Sequence, residues 1–551
     1  MILTKKTLAP ILLGSLLTLA ACGNGEEADT ENGTDTGAGN EGTTESVEVA
    51  TEGFPIVEET ITLSLMAPGL GLSEWEDMPT LQEYSELTNI EFEYTTPPQS
   101  DFATRLNLAF ASQELPDIIY AGGPNTLNAS AEVDYGSQGL LLPLEDMLEE
   151  YAPNFYALME ENPEIRQSIT TTDGHIYALP SIVRGDTSSW IMGPVWYNGA
   201  WLDALGVEEL PQTTEEFYEL MVRFRDEDPN GNGQQDEIPI SDINMNGLRG
   251  WMMPAFGIKG WGIEEHNGEA RYTFATENFR GYLEFMNRLY SEGLLDQETF
   301  SQSTEQKQAK GENNQIGVFQ DWFSYFTTGR SEEEAINDPM YGPLTSEYQE
   351  TPLMPIDSGI KRGTFALTSE NPHPEASLRW IDYFYTEEGY EFINLGPEGY
   401  LWEWEDEEGG TRVFNEEIDP DSREEYRGSI TPAYGITIPG LSIELDPIGG
   451  ERSAFSDFLL EETQEKIEAH GEVIFPQVYL TPEEQEEVTD IKSELETYVV
   501  ENEAAFITGN IELNDDNWND YISTLENLGV RRFEEIHQDA YDRWVEAGEN
   551  N

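Results

Sequence analysis

The sequence predicts an α/β protein that is built as two lobes. Strand-like and helix-like segments alternate from the start of the globular region: ETITLSLMAP (59–68), the helical TLQEYSEL (80–87), IEFEYTT (90–96), a helix over 101–112 and LPDIIYAGG (115–123). Such alternation is typical of βαβ units around a parallel sheet. The chain beyond residue 55 is about 495 residues long, which exceeds one ordinary domain and suits two lobes.

The N-terminus reads as an export signal over residues 1–21. Lys5 and Lys6 precede an apolar run, and the segment ends in LAAC, with Cys22 as the only cysteine of the 551 residues. Small residues before a single cysteine predict a lipoprotein cleavage site, so that Cys22 becomes the acylated N-terminus. The alternative is an ordinary signal peptide in which Cys22 is incidental.

Residues 22–55 predict a disordered acidic tether. They consist mainly of Gly, Thr, Glu, Asp, Asn and Ala with few large apolar side chains. Such a segment buries too little surface to offset its ordering entropy. No later segment has the roughly 20 apolar residues of a membrane helix, so the lipid at Cys22 would be the sole membrane contact.

A helix that begins after Thr213 has the clearest local signals in the sequence. It follows a strand ending in Val195–Tyr197, and Thr213 with Glu216 forms a capping box. Its apolar residues share one face of the helix, as expected for an element packed on a core: Phe217, Leu220, Met221 and Phe224.

The loop after this helix, DPNGNGQQDE, predicts a structural calcium site. Calcium prefers 6–8 oxygen ligands, which a tightly turned loop with glycines can direct inward. Positions 1, 3, 5, 6 and 9 of the EF-hand pattern are met, whereas position 12 is Pro239 instead of Glu. The alternative is a polar Asn-Gly turn. The predicted ligands are Asp228, Asn230, Asn232, Gln234, Asp236 and Glu237.

The charge balance excludes nucleic acid as a partner. The chain has 109 acidic and 27 basic residues and a net charge of −82, while binding to phosphates requires clustered Lys and Arg. The acidic residues recur on helix faces, which favours a solvated surface adapted to high salt or alkaline surroundings over a dedicated cation-binding role.

These motifs together resemble the family-1 extracellular solute-binding proteins of ABC importers, in particular the oligosaccharide-binding branch with the alginate-binding proteins and LplA-type lipoproteins. The similar stretches cover most of the chain beyond about residue 55: WLDALG with PQTTEEF, the DPNGNG loop, DGHIYALP (173–180), YLEFMNRLYSEGLLD (282–296), residues 371–404 and residues 525–544.

The resemblance implies a two-lobed periplasmic-binding-protein-like fold with discontinuous lobes, a hinge and an interlobe cleft. We expect residues 56–185 plus about 355–420 in the N-terminal lobe, and 186–354 plus about 421–551 in the C-terminal lobe. It also implies a monomer that captures a carbohydrate and docks on the membrane subunits of an importer.

Ligands of open α/β sheets bind beyond the carboxyl ends of the strands, which here are followed by the stretches 67–75, 121–128, 181–190 and 320–326. Sugars need flat apolar faces with convergent polar groups. We therefore predict ligand contacts from Trp190, Trp251, Trp322, Trp402 and Arg184. Core packing is the alternative for each tryptophan, and pairing with surface carboxylates is the alternative for Arg184. Trp380, Trp518 and Trp544 lie on predicted helices, and we assign them to the core.

Two other functional classes stay open at this point. A polysaccharide-degrading enzyme would need a carboxylate pair, but among 109 acidic residues such a pair carries no weight. G-x-S-x-G, H-E-x-x-H and phosphate-loop motifs are absent from the sequence, and the five His residues show no metal-binding spacing. A ligand-sensing receptor subunit is the third class. We predict a binding protein without catalytic residues.

Overall fold

The computed structural model describes residues 47–121, 127–405, 410–436, 438–450 and 452–549. The predicted signal peptide, Cys22 and residues 23–46 of the predicted tether lie outside the described residues, as does most of the predicted ligand loop at 121–128.

The strands of the described residues are, in chain order, β1 (Ile61–Met66), β2 (Ile90–Thr95), β3 (Ile118–Tyr120), β4 (Ala178–Arg184), β5 (Val195–Tyr197), β6 (Ile238–Ser241), β7 (Ile263–His266), β8 (Glu269–Tyr272), β9 (Ile316–Gln320), β10 (Met354–Ile356), β11 (Ile360–Leu367), β12 (Trp402–Trp404), β13 (Arg412–Phe414), β14 (Gly440–Ile443) and β15 (Gly471–Val473).

The α-helices are α1 (Pro79–Thr88), α2 (Gln99–Ser112), α3 (Ala129–Ser137), α4 (Glu145–Tyr151), α5 (Pro153–Glu161), α6 (Pro163–Ile169), α7 (Gly199–Leu205), α8 (Thr214–Asp226), α9 (Leu248–Met252), α10 (Glu277–Ser291), α11 (Thr304–Glu312), α12 (Ser324–Thr328), α13 (Glu332–Ala335), α14 (Pro374–Asp382), α15 (Glu387–Leu395), α16 (Arg423–Ile430), α17 (Ala454–Lys466), α18 (Pro482–Ile507), α19 (Asp515–Asn527) and α20 (Val530–Glu549). In the described part of the chain, no helix is long and apolar enough to cross a membrane.

The first lobe is built on a six-stranded sheet with the order β14-β4-β11-β3-β1-β2. β1 pairs in parallel with β2 and β3, and β14 pairs in parallel with β4, which confirms the predicted parallel βαβ arrangement. β11 lies between β3 and β4 and is antiparallel to both, a pairing that the sequence did not predict. Trp380, as predicted, is buried in the core of this lobe.

The second lobe contains a three-stranded sheet with the order β5-β9-β6. The predicted helix α8 begins after Thr213, and both hydrogen bonds of the capping box with Glu216 are present. All four residues of its predicted apolar face are buried. Trp518 lies in the same core, as predicted. The prediction for Trp544 was wrong, because its side chain is only partly buried and stacks on Tyr541 outside the core clusters, although its indole nitrogen is buried.

The folded region begins earlier than the tether boundary predicted at residue 55. Val49 forms a bridge with Val57, and the Arg379 side chain donates a 3.0 Å hydrogen bond to the carbonyl of Ala50. The Phe54 ring packs edge-on against Tyr84, with 6.0 Å between the ring centroids. These contacts attach residues 47–55 to the first lobe, because their few apolar side chains find partners on it.

The pairing of β14 with β4 places residues 440–443 in the six-stranded sheet. They lie downstream of the crossing that we expected near residue 420, so this segment belongs with the first lobe instead of the second. The remaining lobe boundaries stay a prediction.

The C-terminal helix α20 contacts elements from both halves of the chain. The Gln538 and Glu534 side chains accept hydrogen bonds of 2.7 and 3.0 Å from the backbone of β8, at Ala270 and Tyr272. Gln167 of α6 donates a hydrogen bond of 3.4 Å to the carbonyl of Trp544. The last helix thus completes packing that begins hundreds of residues earlier.

Candidate functional site

The strand ends of the two sheets are joined by one short connection. In the first lobe the carboxyl ends of β1, β2, β3, β4 and β14 share one edge, because these strands run in the same direction. In the second lobe the carboxyl ends of β6 and β9 share an edge with the start of the antiparallel β5. The chain passes directly from the carboxyl end of β4 to the start of β5 through residues 185–194, so this connection joins the two edges.

Hydrogen bonds join the segments that run between the two sheets. The Asp357 amide donates to the carbonyl of Ser189 at 3.0 Å, which links the connection before β11 to the one before β5. Arg452, in the segment after β14, forms ion pairs with Asp186 and, at 3.5 Å, with Glu444. These contacts hold together the segments that connect the two sheets, and the contact of α6 with α20 lies outside this region.

Trp322 provides an exposed aromatic face at the strand-end edge of the second lobe. It follows β9, and 54% of its surface is accessible. Its backbone is held firmly: its amide donates to the Asp321 carboxylate at 2.8 Å, Thr327 donates to the same carboxylate at 2.6 Å, and the Trp196 indole N–H donates to the Asp321 carbonyl at 2.9 Å. A fixed backbone with a projecting indole is a preformed surface for a flat ligand.

The Trp190 ring packs against the Trp322 ring. The two rings are nearly parallel, at 27°, with 6.4 Å between their centroids. Trp190 is only 5% exposed, and its indole N–H donates a 3.0 Å hydrogen bond to the Thr463 hydroxyl on α17. The structure therefore brings together two of the four predicted tryptophans, one as an exposed platform and one as its buried support.

Trp251 and Trp402 are packed side chains. The Trp251 indole N–H donates to the Gly193 carbonyl at 2.9 Å, and that of Trp402 donates to the Gly396 carbonyl at 3.0 Å. They are 1% and 7% exposed. Neither ring is open to a ligand in this conformation, so we leave both out of the proposed site.

Arg184 lies at the exposed end of β4, directly before residues 185–194. Its guanidinium donates to the carbonyls of Val183, at 3.0 Å, and Ser358, at 3.5 Å. The side chain thus presents a positive charge at the strand-end edge of the first lobe, with hydrogen-bonding capacity left over.

Two buried charged residues that we did not predict, Asp242 and Lys307, lie near the second-lobe edge. Asp242 follows β6 and accepts hydrogen bonds from the amides of Gly247 and Leu248, at 3.1 and 2.8 Å. Burial raises the pKa of Asp242 and lowers that of Lys307, and the charge of each partly offsets the shift of the other. Both residues occur in ordinary polar contexts in the sequence, which gave no signal of their burial.

The predicted calcium loop has the tight turns that a metal-binding loop needs. Gly231 and Gly233 adopt positive φ values of 70° and 75°. The Asp228 carboxylate accepts hydrogen bonds from the amides of Asn232 and Gly233, each at 3.1 Å, and the Asn232 side chain donates to Asp236 at 2.9 Å. The side chains of Asp228, Asn230, Asn232 and Asp236 are thus joined in one hydrogen-bond network.

Glu237 is the residue of this loop that most favours a bound cation. Its Oε1 atom is buried and has no hydrogen-bond partner among the described residues. Its pKa is raised by burial and by the negative charges of Asp228 and Asp236. Within the same residues, no group of three or more His, Cys, Asp or Glu side chains is placed to hold a metal ion, so amide or carbonyl oxygens would have to complete the ligand set.

Comparison with known proteins gives consistent relatives. Residues 73–391 match the family model of the bacterial extracellular solute-binding proteins. The chain is 28% identical over 567 residues to the fructooligosaccharide ABC transporter substrate-binding protein FusA of Streptococcus pneumoniae serotype 4, with 97% of each protein covered. It is 26% identical over 249 residues to the lipoprotein LipO of Bacillus subtilis strain 168, covering 43% of this chain and 45% of LipO.

Solved structures agree with this grouping. S. pneumoniae FusA in complex with kestose superimposes with a TM-score of 0.67 at 26% identity, covering 88% of this chain and 99% of FusA. An EF-hand mutant of FusA in complex with fructo-nystose gives the same values. The alginate-binding protein AlgQ2 without calcium ion shares the fold, with a TM-score of 0.63 at 21% identity and coverage of 88% of this chain and 98% of AlgQ2.

Proposed function

Because this chain belongs to the bacterial extracellular solute-binding proteins, we propose that it captures an oligosaccharide between its two lobes and delivers it to the membrane subunits of an ABC importer. The observation that carries the proposal is the exposed indole of Trp322 at the strand-end edge, on a fixed backbone and stacked on Trp190. The similarity to FusA, a fructooligosaccharide-binding protein, supports carbohydrate as the ligand class.

Each residue of the proposed site has a separate role. The Trp322 ring stacks on the C–H face of a sugar, and Trp190 keeps that ring in place. Arg184 donates hydrogen bonds to sugar hydroxyls from the first lobe. The ligand contacts both lobes only when they are closed, so binding shifts the population toward the closed form.

A thermal-shift screen tests the proposal. The protein is mixed with neutral and uronic oligosaccharides in high salt with calcium, and the sugars are analysed afterwards. A ligand at 100 times its dissociation constant stabilises the protein by about 2.7 kcal/mol. We expect a shift with the sugar recovered intact. Cleaved sugar would indicate an enzyme, and the absence of any shift would contradict carbohydrate binding.

A pair of variants tests the platform itself. Trp322→Ala should weaken binding of any sugar that shifts the wild-type protein. Leu108→Ala is the matched control, because Leu108 is a similarly exposed apolar residue, at 57%, on α2 and outside the strand-end edge. Equal affinities of the two variants would contradict the role of Trp322.

We also propose that the loop of Asp228, Asn230, Asn232, Gln234, Asp236 and Glu237 binds a structural calcium ion. The buried, unpartnered Glu237 oxygen supports this assignment, and so does the similarity to FusA, for which an EF-hand mutant has been solved. Calcium would offset the negative charge of this loop and brace the end of α8, with amide or carbonyl oxygens completing the ligand set. Dialysis against EDTA should lower the melting temperature, and calcium, but not the same concentration of magnesium, should restore it. A melting temperature unaffected by calcium would contradict the site.

The proposed function also implies a location at the outer face of the cell membrane. Cys22 would carry the lipid that holds the protein at the outer face of the cell membrane, as the similarity to the lipoprotein LipO supports. A Cys22→Ser variant should be released into the medium, and detection of that variant still in the membrane fraction would argue against this anchor.

A further inference from the structure

The connection between β4 and β5 lies directly against the turn that carries Trp322. Gly193 is buried in this connection. A methyl group at this position would lie 2.6 Å from the carbonyl carbon and oxygen of Asp321 and from the amide nitrogen of Trp322. These are backbone atoms, which cannot rotate away as the end of a flexible side chain can. The φ angle of Gly193 is outside the left-handed region, so the close approach alone requires glycine here.

Hydrogen bonds hold the connection and this turn together. The amide of Asp321 donates to the carbonyl of Pro194 at 3.2 Å. The carbonyl of Gly193 accepts two hydrogen bonds of 2.9 Å, one from the side-chain amide of Gln320 and one from the indole N–H of Trp251. The position of the turn is therefore set by the connection as well as by the contacts within the turn itself.

A second glycine of the same connection makes no such contact. The nearest atom to a methyl group at Gly185 would be Oε2 of Glu444, at the ordinary van der Waals distance of 3.7 Å. The φ angle of Gly185 is also outside the left-handed region. Alanine at Gly185 therefore reports the general effect of a methyl group in this connection, whereas alanine at Gly193 adds pressure on the Trp322 turn.

Displacement of this turn would weaken stacking on the Trp322 ring. The ring packs against that of Trp190, with 6.4 Å between the centroids, and Trp190 itself belongs to the connection. A methyl group at Gly193 would push the backbone of Trp322 away, so that the two rings separate and the exposed face moves relative to a bound sugar. A gap of about 0.5–1 Å already forfeits roughly a quarter to a half of the attraction between two atoms. The place of the Trp322 ring thus depends on the connection at two points, Trp190 and Gly193.

We propose that Gly193 is a positioning residue of the sugar site, which lets the connection between the two sheets set the place of the Trp322 indole. The inference rests on the proposed function and adds to it a residue that acts through Trp322 instead of contacting the sugar. Residues 185–194 join the first lobe to the second, so the place of the stacking surface is tied to the path of the chain between the lobes.

Calorimetric titration of the full-length protein with kestose and with maltotriose, both neutral trisaccharides, tests this inference. The variants are Gly193→Ala, the matched control Gly185→Ala, Trp322→Ala and the double variant Gly193→Ala/Trp322→Ala. We expect Gly193→Ala to lower the affinity about three- to tenfold, the range of a lost stacking contact, and Gly185→Ala to bind as the wild type does. In the Trp322→Ala background, Gly193→Ala should cause no further loss, because its effect passes through the ring.

Gln320→Leu probes the same contact if melting temperatures show that Gly193→Ala is not folded. It removes the 2.9 Å hydrogen bond to the Gly193 carbonyl without adding an atom at the close approach. The affinity should again fall, and only when Trp322 is present. In that case a wild-type affinity of Gln320→Leu would overturn the inference.

The outcomes distinguish this inference from the proposed function. Equal affinities of Gly193→Ala and Gly185→Ala, or the same loss with and without Trp322, would overturn the inference and leave the proposed function intact. A role of Gly193 in stability alone would lower the affinity by the same factor in both backgrounds. Failure of both sugars to bind the wild type would instead count against the proposed function, and the inference would fall with it.

Discussion

Removal of Arg249 should strongly destabilise the second lobe. In Arg249→Met, the Glu503 carboxylate, 1% exposed, loses its guanidinium partner and retains a single long hydrogen bond, from the Tyr282 hydroxyl at 3.4 Å. A buried charge left without its partner costs about 3–5 kcal/mol. Because the double variant Arg249→Met/Glu503→Met removes both charges and keeps similar side-chain volumes, we expect it to recover most of that loss.

Urea-induced unfolding, followed by tryptophan fluorescence in high salt with calcium, measures these differences. Arg532→Met is the matched control: Arg532 forms two hydrogen bonds of 3.0 Å with Glu487, but the side chains are 46% and 43% exposed. This exposed pair should contribute little to the free energy of unfolding, because solvent and salt screen the two charges. If the double variant is as unstable as Arg249→Met, the lost stability comes from packing of the Arg249 side chain against the Trp261 ring. The unpaired charge of Glu503 is then not its cause.

Three further outcomes are expected. Thr463→Val should lower the free energy of unfolding by about 1–3 kcal/mol, because the buried Trp190 indole N–H loses its acceptor, and sugar affinity measured by calorimetry should fall with it. Burial raises the pKa of Glu132 from 4.5 to about 7, so the folded protein binds this proton more tightly than the unfolded chain does. This contribution to the free energy of unfolding is present below about pH 4.5 and is lost as the pH rises through 7. Melting temperatures measured from pH 4 to 8 should therefore fall less steeply with pH in Glu132→Gln than in the wild type. Glu237→Gln should reduce the rise in melting temperature on calcium addition, because one of the three loop carboxylates is lost; an unchanged rise would exclude Glu237 as a ligand.

Local sequence signals predicted the elements well, because their causes are local. The capping box of Thr213 and Glu216 and the apolar stripe on α8 formed as expected. The helix predicted over 80–87 occupies Pro79–Thr88, with proline in its first turn. The insertion of β11 between β3 and β4 depends on pairing between residues at least 178 positions apart, and no local pattern encodes such pairing.

The candidate site was predictable only in part for the same reason. Trp251 and Trp322 were both predicted as ligand contacts, although only Trp322 follows a predicted strand. Their difference arises from distant partners: the carbonyl of Gly193 binds the Trp251 indole, whereas the Trp322 indole projects beyond the Asp321 turn. The sequence also did not predict that Asp242 and Lys307 are buried, because their burial depends on the pairing of β6 with β9.

The late position of β11 and α20 in the chain has a consequence for how this protein folds. The six-stranded sheet cannot close until residues 360–367 and 440–443 are available, and the packing around β8 and α6 waits for α20. Both lobes therefore depend on closing very long loops, which makes folding slow compared with proteins of local topology. During that interval unpaired strand edges stay exposed, and the high negative charge of the chain then opposes self-association.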